Sequence, residues 1–498
     1  MAGDDLAAAA IDLDDVQGLL RSGYGSLKDA VFLMLRIADP AAARVWLATA
    51  PVTSAGLLRV RIDRALNIAV TAPGLRALGI EEAILAGFSA EFLAGMAGDE
   101  ARSRRLGDIG PSAPEFWAWG VADRTPDLLV ALYAEAGGLA AWRGAVLTPG
   151  FTAGFTILRE LATADMQDHE PFGFLDGVSQ PAIDWTRERT PGTDADLDYG
   201  NLIAPGEFLL GYANEYGHYT DRPLLEPARD PAGVLPPAAD DPDRRDLGRN
   251  GSYLVFRQLD QDVRGFWRFA ASQSPEDDGV VFAEAMVGRR RSGEPLLPLE
   301  EGPIRGVGHG DADGRNNLFT YACDPDGSRC PLGAHVRRAN PRNGDMPGGR
   351  QTIFDQAIRL AGFGGGGPRA DAVASSRFHR ILRRGREYGQ FLAASQAIAD
   401  DAADPASGLN FLALNANISR QFEFIQNAWL ASAKFDGLSG ESDPLLGNRL
   451  PFPAEQATDG FTVPRPGGRV AGVPPFVQMR GGAYFFLPGL RALRFLAG

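Results

Sequence analysis

The five histidines, His169, His218, His309, His335 and His379, are the natural starting point for metal or redox chemistry. No HExxH is present, no two histidines stand at ligand spacing, and the two cysteines, Cys323 and Cys330, are too few for a four-cysteine centre. A zinc site is therefore not expected. His335 is distinguished by its neighbours. It lies in CPLGAHVRRANPR, followed closely by Arg337, Arg338 and Arg342, with Arg350 a little further on. In an acidic chain this is either a solvated basic loop or a site for an anionic ligand centred on a histidine. Haem meets the second description: its iron takes an axial imidazole, and its propionates pair best with guanidinium groups.

Two other segments hold candidate groups. Asp176 sits in PFGFLDGVSQP, where Asp-Gly reads either as a turn or as a carboxylate near Phe172 and Phe174, partly desolvated and able to act as an acid–base group. Arg383 sits in FHRILRRGREYG with Arg380, Arg384 and Arg386. The alternative there is a helix end whose basic residues complement the dipole and which Gly385 terminates.

The elements that must position these groups show a weak repeat. Val31–Ile37 (VFLMLRI) reads as a buried strand, followed by Asp39 and a helix carrying Arg44 and Trp46. Tyr253–Phe256 (YLVF) is followed by Asp260 and a helix carrying Arg264 and Trp267. In both, Trp stands seven residues past the Asp, at an offset of 221 residues, which suggests two similar α+β halves. Between them, the Pro- and Asp-rich stretch 228–250 reads as a long surface connection, and 362–376 holds a four-glycine run unsuited to regular structure. Leu409–Leu414 reads as a strand. Phe422, Ile425 and Trp429 lie at helical spacing from Ser419, and the C-terminus gives a strand over Ala483–Leu487 and a short helix. No GxGxxG follows a strand and no GxxxxGK[ST] occurs, so dinucleotide and P-loop chemistry find no support.

Composition narrows the classes. The 498 residues are 45% hydrophobic and 22% charged, ordinary globular values, and length alone suggests roughly three domains or two large ones. A net charge of −14 disfavours nucleic acid and anionic membranes, which demand basic surfaces. No apolar run reaches 18 residues, so no transmembrane helix is expected. The opening MAGDDLAAAAIDLDD is acidic, where a signal peptide is basic, so a cytoplasmic location is the expectation, with both cysteines as reduced thiols.

The ordered set GxxDG, HxRxxNPR and RRGxxYG resembles the dye-decolorising peroxidases. The opening VQGLLRSGYGSLKDAVFLMLRI, the segment NANISRQFEFIQNAWL, DPLLG at Asp443 and the closing YFFLPGLRAL extend the likeness over essentially the whole chain. The resemblance implies an α+β fold of two ferredoxin-like domains, here 1–227 and 251–498 joined by 228–250, with one haem b per chain held mainly by the second. It implies His335 as the axial iron ligand, Asp176 and Arg383 as the distal catalytic pair, Arg342 as a propionate partner, and Leu409 and Phe411 bordering the distal pocket. Asp443 is the implied partner of the other His335 nitrogen, with Asp436 as a rival. Tyr388 and Trp429 match positions used as surface electron relays by some members. The implied partners are hydrogen peroxide and organic reductants such as dyes and phenols, and the oligomeric state is left open. The alternative is a haem-handling or haem-binding protein of the same fold, releasing iron or carried as encapsulated cargo. Two departures stand out: a glycine-rich insertion between His335 and Arg383, and Glu387 where the family usually has proline.

Overall fold

The computed structural model describes residues 10–191, 199–299, 312–342, 376–399, 405–449, 457–464 and 468–498. The glycine-rich stretch up to residue 375, His309 and Arg350 lie outside these. The first half runs β1 (Asp29–Ile37), α1 (Pro40–Thr49), β2 (Arg64–Val70), β3 (Leu128–Ala134), α2 (Leu139–Val146), α3 (Pro149–Gly154) and β4 (Phe155–Ala162). The second runs β5 (Ser252–Gln261), α4 (Val263–Gln273), α5 (Val280–Val287), α6 (His335–Ala339), β6 (Leu382–Arg383), β7 (Arg386–Gly389), β8 (Ser407–Asn415), β9 (Val477–Leu487) and α7 (Leu490–Ala497).

The strands form one mixed-length antiparallel sheet in the order β6-β8-β5-β9-β2-β3-β1-β4, with β7 also pairing with β8. Each half on its own is a β-α-β-β-α-β arrangement in which the first strand sits between the third and the fourth. This is the ferredoxin-like α+β pattern that the family resemblance implies, in two similar halves as the repeat suggests. In the sheet their strands meet through a single register pair, Phe486 on β9 with Val70 on β2, while both halves contribute to one shared core.

The apolar run of β1 has a direct cause. Val31, Leu33 and Leu35 point into a core shared with Trp46 of α1, while Phe32 and Met34 point into a second core on the other face. Both faces are covered, so alternation is lost. Full burial of each such side chain contributes roughly 1.5–3 kcal/mol. Asp39 caps α1 by accepting from the amides of Ala41 and Ala42 at 2.8 and 3.1 Å, with Pro40 in the first turn.

Three expectations need correction. The strand read over Tyr253–Phe256 continues as β5 to Gln261, so Asp260 lies on the strand and Asp262 caps the helix. The stretch after Ser419 winds as π-helical turns over Ser419–Glu423 and Ile425–Leu430 rather than as an α-helix. The connection 228–250 is not wholly superficial: Leu235, Ala238 and Leu247 are buried, and Arg245–Asp246 pairs with Leu224–Leu225. Among the described residues no helix is long and apolar enough to cross a membrane.

Candidate active site

Asp176 closes a hairpin in which His169 bridges Leu175 and the Asp176 amide donates to the Asp168 carbonyl at 2.8 Å. Gly173 and Gly177 take φ of 87° and 74°, which the tight turn requires. Phe172 and Phe174 share the cavity wall with Asp176. They turn onto α4, where Phe172 stacks on Phe266 at 4.3 Å and the Trp267 indole donates to the Phe172 carbonyl. The aromatics anchor the hairpin and leave Asp176 facing inward.

Arg383 meets it from the sheet. Its Nη1 donates to Asp176 Oδ1 at 3.1 Å and its Nη2 to the Ser179 carbonyl, while its amide donates to Gln180 Oε1. The side chains of Arg383 and Asp176 keep 35% and 30% exposure, so the pair is open to the adjoining cavity. The surrounding segment is strand, not a helix end. The neighbouring arginines mostly hold backbone: Arg384 binds the Leu19 carbonyl and Arg386 those of Gly23 and Tyr24.

His335 opens α6. Its Nδ1 lies 3.0 Å from Asp443 Oδ2, and Asp443 is fully buried with its other oxygen accepting from the Leu445 and Leu446 amides. Burial pushes the Asp443 carboxyl up, but His335, Arg338 and the Leu446 amide outweigh it and hold the group below its usual range. With Nδ1 engaged, Nε2 is the nitrogen left to carry a lone pair. Asp436, the rival, instead lies 3.9 Å from Arg337.

The arginines after His335 divide. Arg337 is buried against Asp324, and Arg338 ties α6 to the π-helical segment through the carbonyls of Trp429, Ser432 and Glu441. Arg342 takes φ of 57°, donates to the Asn317 and Phe319 carbonyls and lies 3.8 Å over the Phe319 ring.

Beside it stands Arg289, unmarked by the motifs, bonded to the Gly293 and Asn316 carbonyls. Burial and the charges of Arg342 and Arg383 push its pKa down to about 10. Among the described residues neither Arg289 nor Arg342 meets a carboxylate. A run of three arginines, Arg289 to Arg291, in an acidic chain was the signal for this residue.

One cavity of about 290 Å³ collects these groups. Its walls include His335, Asp176, Arg383, Arg342, Arg289, Leu409 and Phe411. Leu409 and Phe411 alternate along β8, facing the same side as Leu259 and Arg257 on β5. Among the described residues, buried polar atoms of four wall residues, Arg257 Nη1, Asp108 Oδ2, Gln261 Oε1 and Asn340 Oδ1, have no hydrogen-bond partner. An imidazole with one nitrogen anchored, apolar walls and guanidiniums lacking counter-charges together fit haem, a flat apolar ring with an iron and two carboxylates.

Tyr388 and Trp429 do not line the cavity. Tyr388 is half-buried. Trp429 is 5% exposed, packed edge-on to His379 at 5.2 Å, and His379 does line the cavity.

Two further carboxyls surround Asp176. Glu170, in the cavity wall, accepts from Gln261 and from the Phe172 and Phe174 amides, yet burial and the charge of Asp176 push its pKa up to about 7. Glu387 is pushed up to about 7 by burial and by the charges of Asp176 and Glu170. A carboxyl with a raised folded pKa stabilises the fold fully below its unfolded value, and that contribution is lost as pH rises through the folded value. The melting temperature is therefore expected to fall between about pH 4.5 and pH 7 because of these two groups. The double variant Glu170→Gln, Glu387→Gln should flatten that slope in thermal melts; an unchanged slope rejects the assignment.

No protein-family model matches the chain. A dye-decolorizing peroxidase of Mycetinis scorodonius, msp1, is 30% identical over 522 residues, covering 98% of this chain and 88% of the relative. One from Auricularia auricula-judae is 29% identical over 515 residues, covering 98% and 87%. The solved fungal DyP-type peroxidase from Auricularia auricula-judae superposes with a TM-score of 0.72 at 26% identity, covering 99% of this chain and 100% of that one. With its fold, its sequence over nearly full length and its clustered motif residues in agreement, the chain belongs to the dye-decolorising peroxidases, a haem-dependent family of oxidoreductases.

Proposed function

We propose that this peroxidase holds one haem b in the cavity and reduces hydrogen peroxide at the expense of bulky aromatic reductants, dyes and phenols, in one-electron steps. The observation that carries the reading is the convergence of two pairs, His335 with Asp443 and Asp176 with Arg383, on one cavity. Bound there, haem supplies the redox-active iron. His335 Nε2 would ligate it, Asp443 would fix the imidazole and make it more electron-rich, and Arg342 and Arg289 would take the propionates.

The chain's own residues do the proton work. Arg383 occupies Asp176 Oδ1, which leaves Oδ2 to take a proton from one peroxide oxygen and return it to the other. Arg383 exchanges no proton; its fixed charge stabilises the negative charge that develops on the departing oxygen. Leu409 and Phe411 limit water around the reacting atoms. Haem storage or iron release needs no such acid–base and cation pair, which favours peroxidase over the haem-handling alternative. A cysteine pair left unbridged, Cys323 exposed and Cys330 buried, supports a reducing, cytoplasmic setting.

Haem-loaded protein is expected to bleach an anthraquinone dye in a peroxide-dependent manner, measured from acid to mildly alkaline pH. A Soret band without turnover would return the protein to the haem-handling reading. In the same assay Trp429→Phe and Tyr388→Phe test the relay. Loss at the responsible site should slow the dye several-fold while sparing small phenols that enter the cavity. Equal losses for both sizes place the effect on folding or the haem site.

A further inference from the structure

We propose that Asp260 is the proton acceptor for oxidation of Tyr388, and so a positioning residue for electron relay that acts through the tyrosine. This rests on the relay reading above and deepens it. A phenol that loses an electron without its proton becomes a very strong acid at high energetic cost. A redox-active tyrosine therefore needs a base within hydrogen-bond reach.

Tyr388 has one. On β7 its hydroxyl lies within hydrogen-bond reach of Asp260 Oδ1 and, at 3.0 Å, of the Leu259 carbonyl. The carbonyl oxygen accepts a hydrogen bond but not a proton, whereas the carboxylate accepts either. The second Asp260 oxygen is held by Arg480 Nε. Gln258 is a further polar neighbour of the phenol, and its Oε1 accepts from the Trp119 indole at 2.9 Å. Burial and the Asp260 carboxylate hold the Tyr388 pKa above its ordinary value, so the resting group is a neutral phenol.

The position suits a relay. Gly408, directly across from Tyr388 on β8, has no side chain, and a Cβ there would come within 2.5 Å of the phenol oxygen. Leu259, whose carbonyl the phenol contacts, has its side chain in the cavity wall. The tyrosine is thus one residue from the oxidising site. On the other side, Asp260 and Arg480 retain 31% and 40% side-chain exposure, so the base exchanges protons with water.

The step balances. Tyr388 O–H and Asp260 carboxylate give the neutral phenoxyl, the Asp260 carboxylic acid and one electron, which passes to the peroxide-oxidised site in the cavity. A reducing aromatic at the surface then returns one electron to the phenoxyl, and Asp260 returns the proton, restoring the O–H bond and the carboxylate.

The test uses haem-loaded protein mixed with peroxide, freeze-quenched and read by electron paramagnetic resonance, beside dye and small-phenol turnover. Asp260→Asn keeps size and hydrogen bonding but removes the base. It is expected to cut the Tyr388 radical signal and dye turnover about tenfold while small-phenol turnover holds. Asp260→Glu, which restores a carboxylate, should recover most of both. If Tyr388→Phe abolishes the radical and slows the dye but Asp260→Asn changes neither, Asp260 is not the acceptor and the relay reading stands. If Tyr388→Phe itself changes neither, the relay reading fails and takes the Asp260 assignment with it. Equal failure of Asp260→Asn and Asp260→Glu on dye and phenol alike also overturns the proposal, as a structural role.

Discussion

His335→Ala is expected to purify without haem and to bind added haem far more weakly than the parent chain. The ligand is held from behind. Asp443 Oδ2 takes Nδ1 while the other Asp443 oxygen is pinned by two backbone amides, so the ring cannot rotate without leaving a buried carboxylate unpaired. Removing only that support, with Asp443→Asn, should cost about 10- to 100-fold in haem affinity, the usual range for a partner behind a metal ligand. Removing the ligand should cost more. The competitor is His379, which also lines the cavity. Its Nδ1 contacts the Arg420 carbonyl and its ring is stacked on Phe424 at 3.7 Å, so it is not free to turn. Titration with haem, followed by the Soret band, separates the cases. Unchanged haem content and spin state in His335→Ala would move the ligand elsewhere.

How far the sequence reveals the site depends on which interactions are local. His335 is legible because HxRxxNPR is contiguous. The same contiguity misleads about Arg337 and Arg338. Arg337, two positions after the histidine, lies off its face and binds Asp324, and Arg338, though three positions on, is taken up by the carbonyls of Trp429 and Ser432. Arg289 is marked by its three-arginine run, but nothing local says where it points. It precedes His335 by 46 residues and reaches the cavity only because Phe319 and Asn317 receive both it and Arg342. Glu170 lies six residues before Asp176, and only the hairpin makes them neighbours.

The fold shows the same division. The strand–Asp–helix–Trp repeat is legible because burial on both faces writes continuous apolar runs into β1 and β5. Its second copy slips by two residues, since β5 runs two residues past Leu259 before the cap, and the slip leaves Asp260 on the strand beside Tyr388. Pairing between the halves is beyond local pattern altogether: in the sheet one residue pair, Phe486 with Val70, joins their strands.

The distal pair should fail in two distinguishable ways. Asp176→Asn retains an oxygen for Arg383 Nη1 but presents an amide where Oδ2 exchanged a proton. The reaction with peroxide should slow, and its acid limb should flatten, because the group that had to be ionised is gone. Arg383→Leu leaves the base and removes the charge. Single preorganised groups of this kind are worth about 100- to 1,000-fold in rate, or roughly 3–4 kcal/mol. The pair here is about one-third exposed, and solvent that reaches a charge weakens it. The lower end is therefore expected, with a loss of at least about tenfold, or ~1.4 kcal/mol. Arg383→Lys should recover part of it, since the charge returns without the fork that also holds the Ser179 carbonyl. Stopped-flow rates of the peroxide reaction in the three variants decide the assignment. Should Asp176→Asn and Arg383→Leu both react at the parental rate, the pair is only the clasp that docks the hairpin on the sheet. In that case the variants would lose thermal stability instead, and the proton exchange would have to be sought at Glu170, a further carboxyl in the cavity wall.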